Sequence, residues 1–106
     1  TTGSFYSDAF SIALPAQAPV PLTSVTVNFS SGSGAADADA ACTGSANVPT
    51  APPGKLCIYP YVVSGITRSS MYGSTILLPS QSFIVNYTPA AAGDMYIYLS
   101  WAYTAP

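Results

Sequence analysis

Apolar and polar side chains alternate with a period of two in two early segments. Phe10, Ile12 and Leu14 are separated by Ser11 and Ala13, and Val25, Val27 and Phe29 by Ser24, Thr26 and Asn28. That period puts every second side chain on one face, so each segment predicts a half-buried strand. Pro15 ends the first, and residues 15–21 form a proline-rich connector. Strand signals recur at residues 56–63, 75–78, 82–87 and 95–103. Turn chemistry sits at Pro53-Gly54, Ser64-Gly65, Tyr72-Gly73, Pro79-Ser80 and Ala92-Gly93-Asp94. Pro60 has no amide hydrogen for a sheet ladder, so its strand is an edge or carries a bulge. Helix is unsupported: Asp37 and Asp39 interrupt the alanines of residues 35–41, and those of 90–92 are too few. The pattern predicts an all-β fold, a single-domain antiparallel β-sandwich or jelly roll of six to eight strands over residues 1–106. Residues 30–54 read as a long loop, a length that is rare unless the loop is functional or pinned.

The later strands depart from simple alternation. In the last one, Met95, Ile97, Leu99, Trp101 and Tyr103 share one face, and Tyr96, Tyr98, Ser100 and Ala102 the other. Residues 56–63 and 75–78 are also apolar on both faces. An antiparallel sheet covering one core should be polar on its outer side. Two-sided strands need a third layer, and a chain without helices has none to offer. A second copy of the chain is the expected cover. The alternative is that Tyr96 and Tyr98 lie flat with their hydroxyls in water.

Composition sharpens this. Only six of 106 residues are charged: Asp8, Asp37, Asp39, Asp94, Lys55 and Arg68, with no Glu and no His. Two cations cannot neutralise a nucleic-acid backbone, and no run of about 20 apolar residues exists to span a membrane as a helix. Hydrophobic residues make up 49% of the chain and mean hydropathy is +0.36, enough apolar surface to fold despite ten prolines. Cys42 and Cys57 are the only cysteines. A bridge between them would pin the second half of the long loop; two inert buried thiols are the other reading. A disulfide places the chain outside the reducing cytoplasm, at an extracellular, cell-surface or virion location. A start at Thr1 without Met or signal peptide fits a processed product or an excised domain.

Candidate chemistry is sparse. Catalysis by paired carboxylates needs two preorganised acids, whereas Asp37 and Asp39 lie in a Gly/Ala-rich loop. None of the 15 serines has a histidine to activate it. No enzyme activity, cofactor or metal is expected; Asp37 and Asp39 supply too few hard ligands for calcium, and a solvated acidic loop is the plainer reading. Asn28-Phe-Ser30 and Asn86-Tyr-Thr88 are glycosylation sequons, of use only in a glycosylating host. Eight tyrosines and Trp101 suit either subunit interfaces or sugar-stacking platforms. With no Gln, Asn or Asp clustered beside them, an interface at Tyr59, Tyr61, Tyr96, Tyr98 and Trp101 is preferred.

Three stretches, Cys42-Thr-Gly-Ser, Pro49-Thr-Ala-Pro-Pro-Gly-Lys-Leu-Cys-Ile-Tyr59 and the ending from Gly93 to Pro106, resemble a domain at the C-terminus of bacterial collagen-like and phage fibre-type surface proteins. They cover about a third of the chain, and this chain lacks a collagen-like stem. The resemblance implies a non-enzymatic, oligomeric β head on an exported fibre. The expected function is a structural or adhesive subunit that associates with itself, as a closed ring such as a trimer or as an open filament. In a filament, Phe10, Ile12 and Leu14 of residues 1–21 would act as a donor strand on a proline-rich hinge; a first strand within its own chain is the simpler role. The alternative function is a carbohydrate-binding module for cell-surface glycans.

Overall fold

The computed structural model describes residues 8–23, 26–75, 80–90 and 96–106. Seven strands form two sheets packed as a sandwich: β1 (Asp8–Ala13), β2 (Val27–Ser30), β3 (Ala38–Asp39), β4 (Lys55–Ser64), β5 (Ile66–Ser74), β6 (Ser82–Pro89) and β7 (Tyr96–Thr104). One sheet has the order β1-β6-β5, the other β3-β2-β4-β7. The expected all-β sandwich is the observed fold. It is not wholly antiparallel, because β2 runs parallel to both β3 and β4. Residues 31–54 are the long crossover that the parallel β2–β4 pair needs, and the two-residue β3 lies within it, joined to β2 by residues 31–37.

Ser24 and Val25 of the second alternating segment lie outside the described residues; the described parts of both segments behave as their pattern requires. In β2, Val27 and Phe29 are fully buried between the sheets, where they meet Leu56, Ile58, Met71, Phe83 and Val85. Phe10, Ile12 and Leu14 pack against the same core from the β1 side. β1 pairs antiparallel with β6, Phe10 opposite Val85 and Ile12 opposite Phe83. Residues 8–13 are thus a strand of their own chain's sheet. Phe83 meets Trp101 edge to face at 5.2 Å, an arrangement aromatic rings prefer.

Two expectations needed correction. Tyr72-Gly73, read as a turn, lies inside β5, whose polar run Thr67–Ser70 conceals the strand. The register shifts between Thr67 and Tyr72, so no simple alternation marks it. Of the strand expected at residues 75–78, Thr75 falls just beyond β5 and the remainder lies outside the described residues. Met95 also lies outside them.

Gly73 of β5 sits close against Val27 of β2 in the other sheet. A Cβ there would come within 2.5 Å of Val27 Cγ1 and 2.7 Å of the Val27 carbonyl oxygen. Its amide donates to Asp37 Oδ2 at 2.7 Å, and Ala36 N–H donates to Met71 O at 2.9 Å. Arg68 Nη1 donates to Ser33 O at 2.8 Å. The first half of the long loop is therefore fastened along β5.

The outer face of β4 and β7

β4 is an inner strand, but β2 pairs with it only as far as Ile58, so Pro60 lies past the end of that ladder. On the β7 side Pro60 opposes Leu99, but the next pair is Val62 with Tyr98, leaving Tyr61 as the extra residue of a bulge. Leu56 N–H donates to Thr26 O on the β2 side at 2.8 Å. By alternation Pro60 also faces that side, beyond the last β2–β4 pair, Phe29 with Ile58. The missing amide thus breaks no ladder bond. The bulge also changes which residues point inward. Leu56 and Ile58 face the core before it and Val63 after it, while Tyr61 and Val62 are both exposed.

The outer face of β4 and β7 is divided in two. Over the half nearest Lys55, the chain covers itself. Cys42 and Cys57 form a disulfide, and Cys57 lies on the side of β4 away from the core. The bridge consequently holds residues 42–54 across that side. Cys42, Cys57 and Tyr59 make a second small cluster with Ala46 and Ala51. The Tyr59 hydroxyl donates to Thr50 O and accepts from Gly44 N–H at 3.0 Å. Ser100 Oγ donates to Ala46 O and Thr104 Oγ1 to Ala51 O, each at 2.7 Å.

Over the other half the face is bare. Tyr61, Tyr98 and Tyr96 are 58%, 54% and 46% exposed, with Val62 beside them. Tyr61 stacks on Tyr98 at 6.0 Å with an interplanar angle of 26°, and Tyr98 meets Tyr96 at 5.5 Å. Next to Tyr96, an open recess of about 360 Å³ is lined by Phe10, Ile66, Tyr87, Tyr96 and Ile97.

The structure therefore separates the five residues expected at an interface. Tyr61, Tyr96 and Tyr98 come together as an exposed cluster. Tyr59 is only 2% exposed and serves the chain's own loop, so it is removed from the set. Trp101 faces the core against Phe83 and is removed as well. Val62 was missed; the bulge that exposes it is signalled by Pro60, but its outward turn is not. The sequons differ in the same way. Asn28 is buried, and its Nδ2 donates to Asp39 Oδ2 at 3.0 Å, leaving no room for a glycan. Asn86 is half-buried, with Nδ2 donating to Ser74 Oγ at 2.7 Å.

Asp37 and Asp39 do not form a solvated acidic loop. Asp39 pairs with Lys55 and accepts from Ala41 N–H at 2.8 Å. Asp37 takes the Gly73 amide, and its Oδ1 is buried without a hydrogen-bond partner. Among the described residues, no group of three His, Cys, Asp or Glu could hold a metal. Burial raises the Asp37 carboxyl above its ordinary 3.8, outweighing the Gly73 hydrogen bond, whereas Lys55 lowers Asp39. The two act oppositely on stability. Asp39 contributes above its ordinary range and loses that contribution as pH falls through its lowered value. Asp37 holds its proton longer folded than unfolded, so stability declines as pH rises from 3.8 through its raised value. Asp37→Asn keeps an acceptor for Gly73 without a charge. It is expected to be more stable than the parent at pH 7 and equal to it near pH 3, measured by urea unfolding across that range.

No protein-family model matches this chain, and neither a curated protein nor a solved structure matches it.

Proposed function

We propose that this chain is a non-catalytic structural or adhesive subunit, exported from the cytoplasm, that associates with itself through its exposed tyrosine surface. One observation carries the reading: Tyr61, Tyr96, Tyr98 and Val62 form a contiguous bare patch, although the same face is covered by the chain's own loop a few residues away. Tyrosine is enriched at recognition surfaces, where it supplies large contact area with little side-chain entropy to lose. With six charged residues in the chain, few ions need desolvation when such surfaces close. The disulfide supports an oxidising location, and the quoted fibre-type residues support a head or filament subunit.

Sedimentation velocity over a dilution series tests this. A concentration-dependent oligomer that persists in 1 M salt is expected, because apolar contacts are not screened as ion pairs are. Tyr98→Lys is expected to weaken association at least tenfold while leaving the thermal midpoint nearly unchanged. A chain that stays monomeric at every concentration, or an oligomer that salt dissolves, overturns the proposal.

A second reading is a carbohydrate-binding module, favoured by the stacked Tyr61 and Tyr98 rings and by the open recess that neighbouring Tyr96 lines. Sugar rings stack on such platforms. A monomer that binds on a glycan array supports the module; an oligomer that ignores glycans supports the subunit.

A further inference from the structure

β7 is the outermost strand of its sheet, nine residues long, and no described strand lies along its other side. Its backbone orientation is fixed by two hydrogen bonds. Gly54 N–H donates to Thr104 O at 2.7 Å, so Thr104 faces β4. Leu56 N–H points the opposite way, to Thr26 O, so Cys57 turns toward β7 and its partner Ala102. In an antiparallel ladder the amide and carbonyl of one residue point the same way and successive residues alternate. Tyr96, Tyr98, Ser100, Ala102 and Thr104 therefore face β4. Ile97, Leu99, Trp101 and Tyr103 turn their amides and carbonyls outward.

Free edges of this length are templates for pairing, and proteins usually blunt them with Lys, Pro or a bulge. The run Tyr-Ile-Tyr-Leu-Ser-Trp-Ala-Tyr-Thr of β7 contains neither Lys nor Pro, and the only register shift on this ladder is in β4. We propose that this edge pairs antiparallel with β7 of a second copy, about a two-fold axis at Ser100, joining two four-stranded sheets into one of eight strands. The inference rests on the self-association reading and places the contact at the strand edge, where Tyr96 and Tyr98 of β7 take part and Tyr61 and Val62 of β4 do not.

Three features make the strand self-complementary in that register. Leu99 opposes the partner's Trp101 and Ile97 opposes the partner's Tyr103, all four with outward amides and carbonyls, so the hydrogen-bonded pairs fall in phase. On the outer face the large residues lie at one end, Tyr96 and Tyr98, and the small ones at the other, Ser100, Ala102 and Thr104. The two-fold sets Tyr98 opposite the partner's Ala102 and Tyr96 opposite the partner's Thr104, so the tyrosines meet the edge of the partner's covering loop, residues 42–54, rather than one another. Finally, a two-fold axis brings residues near the axis close to their own copies, and β7 has no charge to be repelled.

The full chain carrying both Tyr96→Cys and Thr104→Cys tests the register. Both positions are exposed, and both face β4, so across the axis they form a non-hydrogen-bonded pair with Cα atoms about 4.5 Å apart, within disulfide reach. Mild oxidation is expected to give a covalent dimer on a non-reducing gel. Each single variant is expected to stay uncrosslinked, because like positions lie about 27 Å apart in this register. If the wild type oligomerises but the double variant does not cross-link, or the single variants cross-link equally well, the edge pairing is wrong and association uses another surface. A wild-type chain that is always monomeric overturns self-association itself, and the pairing with it.

Discussion

Replacing Gly73 with alanine is expected to cost about 3 kcal/mol, the upper part of the range for inserting a methyl group into a packed interior. The backbone there is ordinary for any residue, since only Gly34, Gly54 and Gly65 have positive φ among the described residues. Space is the constraint. The new Cβ would meet Val27 Cγ1 at 2.5 Å and the Val27 carbonyl at 2.7 Å, and a carbonyl within a strand cannot rotate away. The strands must therefore separate at the point where Gly73 also donates to Asp37. Urea unfolding should show a lower midpoint with an unchanged slope. Adding Val27→Ala removes the Cγ1 contact but not the carbonyl, so the double variant is expected to remain well below the parent. Restoration to within 0.5 kcal/mol would mean that β2 and β5 can move apart freely.

Gly73 also marks where sequence pattern stops being informative. Alternation works when one face of a strand is wet and the other dry. β2, with Val27 and Phe29 inward, is legible for that reason, as are Phe10 and Ile12 of β1. β5 breaks the condition: Thr67, Arg68 and Ser69 are exposed in succession, and its inward positions include a glycine chosen for closeness to a neighbour. A pattern of this kind looks like a turn. In β4 the alternation itself changes phase at Tyr61.

The candidate site was legible in a different sense. Two-sided apolar strands raise the question of what covers the outer face of β4 and β7. Over the half nearest Lys55 the cover is residues 42–54 of the same chain. The signal for this was present: Cys57 alternates with Leu56 and Ile58, so a bridge to Cys42 has to pull the loop onto the outer face. Tyr59, two residues on, then falls under the loop rather than at a surface. Tyr61, Tyr96 and Tyr98 stay bare because the loop crosses only the first half of β4. How far a loop reaches depends on tertiary anchors such as Ser100 to Ala46 O and Thr104 to Ala51 O, and local sequence does not encode them.

Removing the bridge with Cys42→Ala and Cys57→Ala is expected to lower stability by about 3 kcal/mol, from the loop entropy released when a separation of 15 residues is no longer closed. The consequence is larger than the number suggests. Without the staple, the loop keeps mainly the Tyr59 hydroxyl bonds and the Ser100 and Thr104 contacts, which are individually modest. When it lifts, position 57 and Tyr59 join Tyr61 and Val62, and the apolar outer face runs the length of β4. The bridge thus limits the exposed apolar surface as well as holding the loop. Two readouts should move together: a lower urea midpoint, and hydrogen-exchange protection lost at Gly44, whose amide donates to Tyr59. Under reducing conditions the wild type should likewise form larger, less discrete aggregates than the oxidised protein. A bridge-free chain that unfolds within 1 kcal/mol of the parent and keeps Gly44 protected would show that the loop's own hydrogen bonds suffice, and that the exposed tyrosine patch is bounded without the disulfide.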